Sequence, residues 1–347
     1  MCHKVNWMFL AAMVVLTAGM AQAINIDLVP VGNAGNAGEL SGSGDLARIC
    51  GAVGYTYNIG KYEVTAGQYT AFLNAVGGVD TYFLYNSNMS NTSNGSGIVQ
   101  SGGGTVGNPY TYSVAADFAN RPVNYVFWGD AARFANWLHN NQPTASQGPS
   151  TTEDGAYNLN GATTNADLLA ISREADWKWT ITNEDEWYKA AYYKGGGTSA
   201  GYWDYPTGVD TPATPGRDMD DVSGNNANYH QGLETPYPID SGDSGKYTTI
   251  MGEFQNSDSP YGTFDQGGNV WEWNESFLYG SSRGLRGGSF AYDSNGLLAS
   301  SRGNGIYPDD ESSYVGFRVA SVPEPGSLAM LAGIALTALL YHWRKHA

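Results

Sequence analysis

The chain has 347 residues, with 33 Asp and Glu against 17 Lys and Arg and a formal charge of −16. A surface this acidic repels nucleic-acid phosphates and anionic lipids, which argues against both as ligands, and it attracts cations. There are 46 glycines and 24 tyrosines but only 14% charged residues, a loop-rich, aromatic composition typical of secreted domains rather than helical bundles.

Residues 1–23 have the build of a secretory signal peptide: Lys4, an apolar run from Trp7 to Leu16, then Ala21-Gln22-Ala23 as a cleavage site. Its removal takes Cys2, so the mature chain keeps only Cys50 and has no internal disulfide. Residues 24–54 are largely Gly/Asn/Ser-rich and read as a flexible N-terminal segment. A folded domain is expected over 55–320. The alternation in "YTYNIGKYEV" predicts a strand. The next segment places Tyr69, Phe72, Leu73 and Val76 on one helical face, with Thr65 as N-cap. Residues 86–107 are of low complexity and read as a surface insertion.

"RPVNYVFWGDAARFANWLHN" reads as strand, turn and helix, with Phe127, Ala131, Phe134 and Leu138 on one face and Asp130 near the start. A further helix lies in "WTITNEDEWYKAAYYKGGG", where Thr182 and Asp185 resemble a capping box and Glu184 and Glu186 suit the helix N-terminus. Residues 198–262 are turn-rich. Short strands are expected in "RGLRGGSFAYD" and "YVGFRVAS". The elements predict an irregular α+β fold with few helices, many short strands and long loops.

At the C-terminus, Pro323-Glu324-Pro325 precedes an uncharged apolar stretch from Ser327 to Trp343 and then Arg344, Lys345 and His346. At ~1.5 Å per residue the stretch is long enough for a transmembrane helix, and the basic tail would stay cytoplasmic. Residues 322–347 resemble a PEP-CTERM sorting signal. That resemblance implies cleavage by an exosortase-type membrane protease and delivery to a bacterial cell envelope or the extracellular space, with a plain tail anchor as the alternative.

The blocks "IGKYEVTAGQYTAFLNAV", "RPVNYVFWGDAARFANWL", "ITNEDEWYKAAYY", "GGNVWEWNES", "LRGGSF" and "GFRVA" occur in that order. Together they resemble the formylglycine-generating enzyme (sulfatase-modifying factor) domain family over Tyr57 to Ala320. The resemblance implies an α+β fold related to C-type lectins. It also implies oxidation of a substrate cysteine with O₂ and copper held by two thiolates shortly after the Arg-Gly-Gly-Ser block. Here the matching positions fall near Ser294 and Ala299, and no cysteine lies in 290–320. A hydroxyl and a methyl group cannot replace soft thiolates on copper(I), so copper is not expected. A non-haem iron site would need His139 and His230, the two histidines left between the processed ends, and their helix-end and loop positions speak against it. "GDSGK" and "DMDDVSGNN" read as turns or solvated loops, lacking the residues of a protease nucleophile loop or an EF-hand.

The family resemblance makes "DQGGNVWE" a calcium loop, with ligands from Asp265, the carbonyls of Gly268 and Val270, and Glu272. Calcium takes about 6–8 oxygens in irregular geometry, so a tight glycine loop with two carboxylates suits it. The alternative is a hairpin corner in which Glu272 bonds backbone amides. A second family site would begin at Asn228 and Tyr229 and end at Asp240 or Asp243. These features describe an exported, calcium-stabilised binding or structural module with an envelope polysaccharide or protein as ligand. An oxidase with an unrecognised metal set is the competing reading. Intact-mass measurement on envelope material should give a chain beginning near Ile24 and ending near the Pro-Glu-Pro triplet. A species that retains Arg344 and Lys345 at steady state reduces the C-terminus to a simple anchor.

Overall fold

The computed structural model describes residues 23–231, 245–278, 280–303 and 306–323. Residues 1–22 of the expected signal peptide, the apolar stretch after the Pro-Glu-Pro triplet, Asp240 and Asp243 lie outside the described residues. Among the described residues no helix is long and apolar enough to cross a membrane.

In chain order the elements are β1 (Leu28–Val31), β2 (Glu39–Ser41), β3 (Arg48–Cys50), β4 (Tyr57–Gly60), α1 (Ala66–Val76), β5 (Ile98–Ser101) and β6 (Thr111–Val114). There follow α2 (Trp128–His139), α3 (Asn165–Ala170), β7 (Trp179–Ile181), α4 (Glu184–Tyr192), β8 (Trp271–Leu278), β9 (Ser282–Arg286), β10 (Val315–Gly316) and β11 (Val319–Ser321). The fold is α+β, with short strands and long loops. One sheet has the order β1-β4-β11-β7 and is antiparallel throughout, so the domain's first and last strands flank β4. A second has the order β10-β8-β9, with Val315 and Gly316 running parallel to Trp271 and Glu272.

Three expectations need correction. The segment expected to be flexible, 24–54, supplies β1, which pairs residue for residue with β4, and the β2–β3 hairpin. Glycine and asparagine there form the turns between short strands rather than a tether. Residues 86–107 are likewise built in, since Met89 and Ile98 are fully buried and β5 pairs with β6. The α4 cap falls one residue later than expected. Asn183 accepts from the Glu186 amide at 2.8 Å, and Glu186 accepts from the Asn183 amide at 2.7 Å. That register turns Glu184 and Glu186 inward to arginines.

Helix α1 starts as expected, with Thr65 and Gln68 forming a reciprocal capping box. Its Tyr69 and Phe72 meet Phe134 of α2 and Phe317 in an aromatic core, with Phe72 and Phe134 edge to face at 5.3 Å and Phe134 and Phe317 at 5.4 Å. Phe127 serves as the N-cap position of α2 rather than a residue of its inner face.

With no disulfide among the described residues, arginine–carboxylate pairs tie the loops together. Arg133 holds Glu153, and Arg173 spans Glu186 and Glu275. Glu184 at the start of α4 accepts from Arg286, Arg302 and Arg48, which come from three distant segments. Burial alone would raise the Glu184 pKa, but these three guanidinium groups outweigh it and hold the carboxyl below its ordinary value. Its stabilisation is therefore present above the unfolded-state glutamate pKa and is lost as pH falls through the lower folded value. Glu184→Gln should cost about 3–5 kcal/mol in urea unfolding, because it strands buried guanidinium charge. A loss under about 1 kcal/mol would show that water already satisfies those arginines.

Candidate functional site

The loop 263–276 closes through two tight bends. Asp265 and Asn269 sit at φ 60° and 61°, and Gly268 at φ 91°. A Cβ on Gly268 would lie 2.3 Å from the Asn228 carbonyl, so the close approach of the two segments requires glycine. Asn269 fixes that approach. Its amide donates to the Asn228 carbonyl at 2.7 Å, its Oδ1 accepts from Asn228 Nδ2 and the Thr249 amide, and its Nδ2 donates to Glu63 at 3.1 Å.

Glu272 is fully buried on β8. Both its oxygens accept from Arg318, at 2.6 Å from Nε and 2.6 Å from Nη2, and one also accepts from Trp187 Nε1 at 2.7 Å. Arg318 spends its remaining donors on the carbonyls of Gly60 and Phe264. The loop therefore wraps a guanidinium group. Trp273 donates to the Val126 carbonyl, and Trp271 stands edge-on to Tyr292 at 5.4 Å, so both tryptophans are packed. Strand β8 is buried on both faces here, and Glu272 is as enclosed as its tryptophan neighbours.

Asp265 accepts from the Gly252 amide at 2.7 Å. Burial pushes its carboxyl up to about 6. Glu63, fully buried, is pushed well up by burial and then by the charges of Asp265 and Glu272. Three carboxylates thus face one guanidinium. Asn228 lies directly beside the loop, while Tyr229 donates its hydroxyl to the Pro215 carbonyl at 2.7 Å. The structure brings Asn228 beside Gly268 and Asn269, while Asp240 and Asp243 lie outside the described residues. Sequence reasoning missed Glu63, Arg318 and Trp187. A glutamate between Tyr62 and Val64 at the end of a strand was the one available signal.

At the positions matching the family's thiols, Ser294 opens a short 3₁₀ turn and Ala299 is buried. Cys50 packs in the same cluster as Ala299, which its place in the sequence did not suggest. Its Sγ accepts from Arg286 Nη2 at 3.4 Å, and burial, then Glu184, push the thiol up. His139 Nδ1 accepts from the Lys178 amide at 3.3 Å, and burial lowers its pKa, so it favours the neutral form rather than a cation completing the helix dipole. Among the described residues no three His, Cys, Asp or Glu side chains group to hold a metal ion.

The profile of the sulfatase-modifying factor enzyme 1-like domain matches residues 29–322, beginning within β1. A comparison with curated proteins finds no match. Among solved structures, variable protein 1 of Treponema denticola superposes with a TM-score of 0.52 at 21% identity, over 88% of this chain and 98% of that one. The crystal structure of CarF overlaps at 0.48 and 20% identity, over 86% and 99%. PvdO from Pseudomonas aeruginosa overlaps at 0.45 and 17%, over 85% and 94%. The Treponema likeness is one of fold alone.

Proposed function

Because the chain belongs to the sulfatase-modifying factor enzyme 1-like domain family, we propose that it is an exported, calcium-stabilised binding or structural module without the family's copper chemistry. The observation that carries this reading is the missing thiol pair: the described chain holds one thiol, Cys50, buried under Arg286. A thiol with a raised pKa beside a glutamate is poorly suited to act as a thiolate ligand. Export to the cell envelope is supported by the two end segments of the sequence, with an exosortase-type protease as processing partner. The aromatic, acidic loops support an extracellular ligand, an envelope polysaccharide or a protein.

Calcium fits the loop in charge and donor type. Glu63, Asp265 and Glu272 share the one guanidinium of Arg318, and a divalent cation would favour the ionised forms of Glu63 and Asp265 that burial otherwise disfavours. Asp265 and the carbonyls of Gly268 and Val270 would hold it. A carboxylate has about four acceptor positions, and Glu272 already fills three, so it can offer a single contact. Calcium would supply structural cross-linking, not catalysis. The second family site is supported only by the position of Asn228 beside the loop.

Incubation with copper, O₂ and a cysteine-bearing sulfatase peptide should yield no aldehyde. Turnover that scales with protein and is lost on substituting His230 would overturn the non-catalytic reading in favour of an atypical oxidase. In a separate experiment, EGTA should lower the melting temperature by a few degrees. This follows from about 1.4 kcal/mol at ~1 mM calcium and a dissociation constant of ~10⁻⁴ M. Asp265→Asn should abolish the calcium response. Glu272→Gln tests something else, since it strands Arg318 and should destabilise the protein in EGTA as well. Identical wild-type melting with EGTA and with millimolar calcium would leave Arg318, rather than calcium, as the cation that Glu272 faces.

A further inference from the structure

Residues 24–27, just upstream of β1, are pinned by side chains from two helical segments. The Ile24 nitrogen donates to Gln142 Oε1 at 2.7 Å, and Gln142 Nε2 donates back to the Ile24 carbonyl at 3.0 Å. One residue on, the Asn25 carbonyl accepts from Gln68 Nε2 at 2.9 Å. Gln68 is the residue whose Oε1 caps α1 through the Thr65 amide, so the segment is tied to α1 as well as to the end of α2. The Asp27 carbonyl accepts from the Lys61 amide at 2.7 Å, which carries the β1–β4 pairing one step upstream. Ile24 and Ile26 are half-buried against the main core, while Ala23, Asn25 and Asp27 are exposed. The run alternates as a strand does.

The turn that presents Gln142 bends more than its helix end requires. The Asn141 amide donates to the Leu138 carbonyl at 3.0 Å, and the Gln142 amide to the Trp137 carbonyl at 2.8 Å. That is a Schellman motif, which needs one left-handed residue, and Asn141 supplies it at φ 64°. Gln142 takes a second left-handed conformation at φ 56°. Such a backbone is unfavourable for a residue other than glycine, asparagine or aspartate. The helix end does not explain this second bend. The pair of bonds to Ile24 does.

Ile24 also stands out in the sequence for an independent reason. Cleavage after Ala21-Gln22-Ala23 makes it the first residue of the exported chain and turns its nitrogen into an ammonium group. The Ile24 amide stands in for that group, since both donate from the same nitrogen. The clamp distinguishes this start from its neighbours. A chain that begins at Asn25 has lost both partners of Gln142, and one that begins earlier keeps a neutral amide there. An ammonium donor on an amide oxygen is charge-assisted, shorter and roughly twice as strong as its neutral counterpart.

We propose that Gln142 is a binding site for the α-ammonium group of Ile24, so that removal of the leader ends with the new N-terminus docked at the end of α2. The proposal rests on the reading of the protein as exported. Cleavage changes a neutral clamp into a charged one without moving the chain. The remaining ammonium hydrogens stay hydrated, because Ile24 is only half-buried.

The test is reductive methylation of the exported, processed protein, with the Ile24 α-amine and the exposed Lys178 followed by mass spectrometry in one sample. Ile24 should label at least about tenfold more slowly in the native protein than in urea, while Lys178 changes little. Gln142→Ala should remove that protection, and Gln142→Met, of similar length, gives the same comparison if the alanine variant does not fold. Gln142→Glu loses the donor to the Ile24 carbonyl but keeps an oxygen for the ammonium, and should protect at least as well as glutamine. Protection that survives in Gln142→Ala or Gln142→Met overturns the proposal. So does its loss in a folded Gln142→Glu protein, which would make the clamp one for an ordinary peptide segment. Exported protein that begins at any residue other than Ile24 also overturns it. Chains that keep residues 1–23 and stay inside the cell sink export and the proposal together, whereas unprotected exported chains beginning at Ile24 sink the docking alone.

Discussion

The bidentate pair between Glu272 and Arg318 is the contact on which the two sheets depend. Arg318 sits between β10 and β11, and its guanidinium reaches the end of β4, the start of the 263–276 loop and β8 at once. Both charges are fully buried. Burying an ion pair is favourable only when geometry and remaining hydrogen bonds are nearly complete. Here Trp187 and backbone carbonyls supply the rest. Once that requirement is met, the positions of α4, β4 and the loop follow with little freedom.

The same logic recurs through the domain. Glu184 gathers three arginines, Arg173 joins Glu186 to Glu275, and Arg133 holds Glu153, and together these pairs do the tethering that disulfides perform in other loop-rich domains. A disulfide acts chiefly by restricting the unfolded chain. These pairs act on the folded state, and each demands satisfied partners. The arrangement also explains the state of Cys50. Arg286, drawn inward by Glu184, covers the sulfur, so the thiol next to Ala299 is packed as a small side chain.

An aromatic core and charged pins leave the outer loops free to vary. The exposed ring of Phe83 and the carboxylates of Asp309 and Glu311 lie on such loops, on a rigid base made by the start of α2. Loops on a fixed scaffold are where binding chemistry is commonly placed.

Much of the fold was legible because it rests on local rules. The Thr65 cap, the 3.6-residue spacing of Tyr69, Phe72, Leu73 and Val76, and the order of six short motifs each depend on residues near one another in the chain. Those motifs also carried the family, and the absence of cysteine in 290–320 bore on its chemistry without any structure. The strands of 24–54 were not legible, because Gly and Asn look alike in a tether and in the turns between short strands. β1 finds its partner only in the later strand β4, while β2 and β3 pair with each other across a short loop. Glu272 shows the division most clearly. The sequence determined that a carboxylate stands between two tryptophans after a tight glycine turn. Only the tertiary structure decided that it faces Arg318 and Trp187, because a buried charge takes its partner from whatever the folded chain brings within hydrogen-bonding distance.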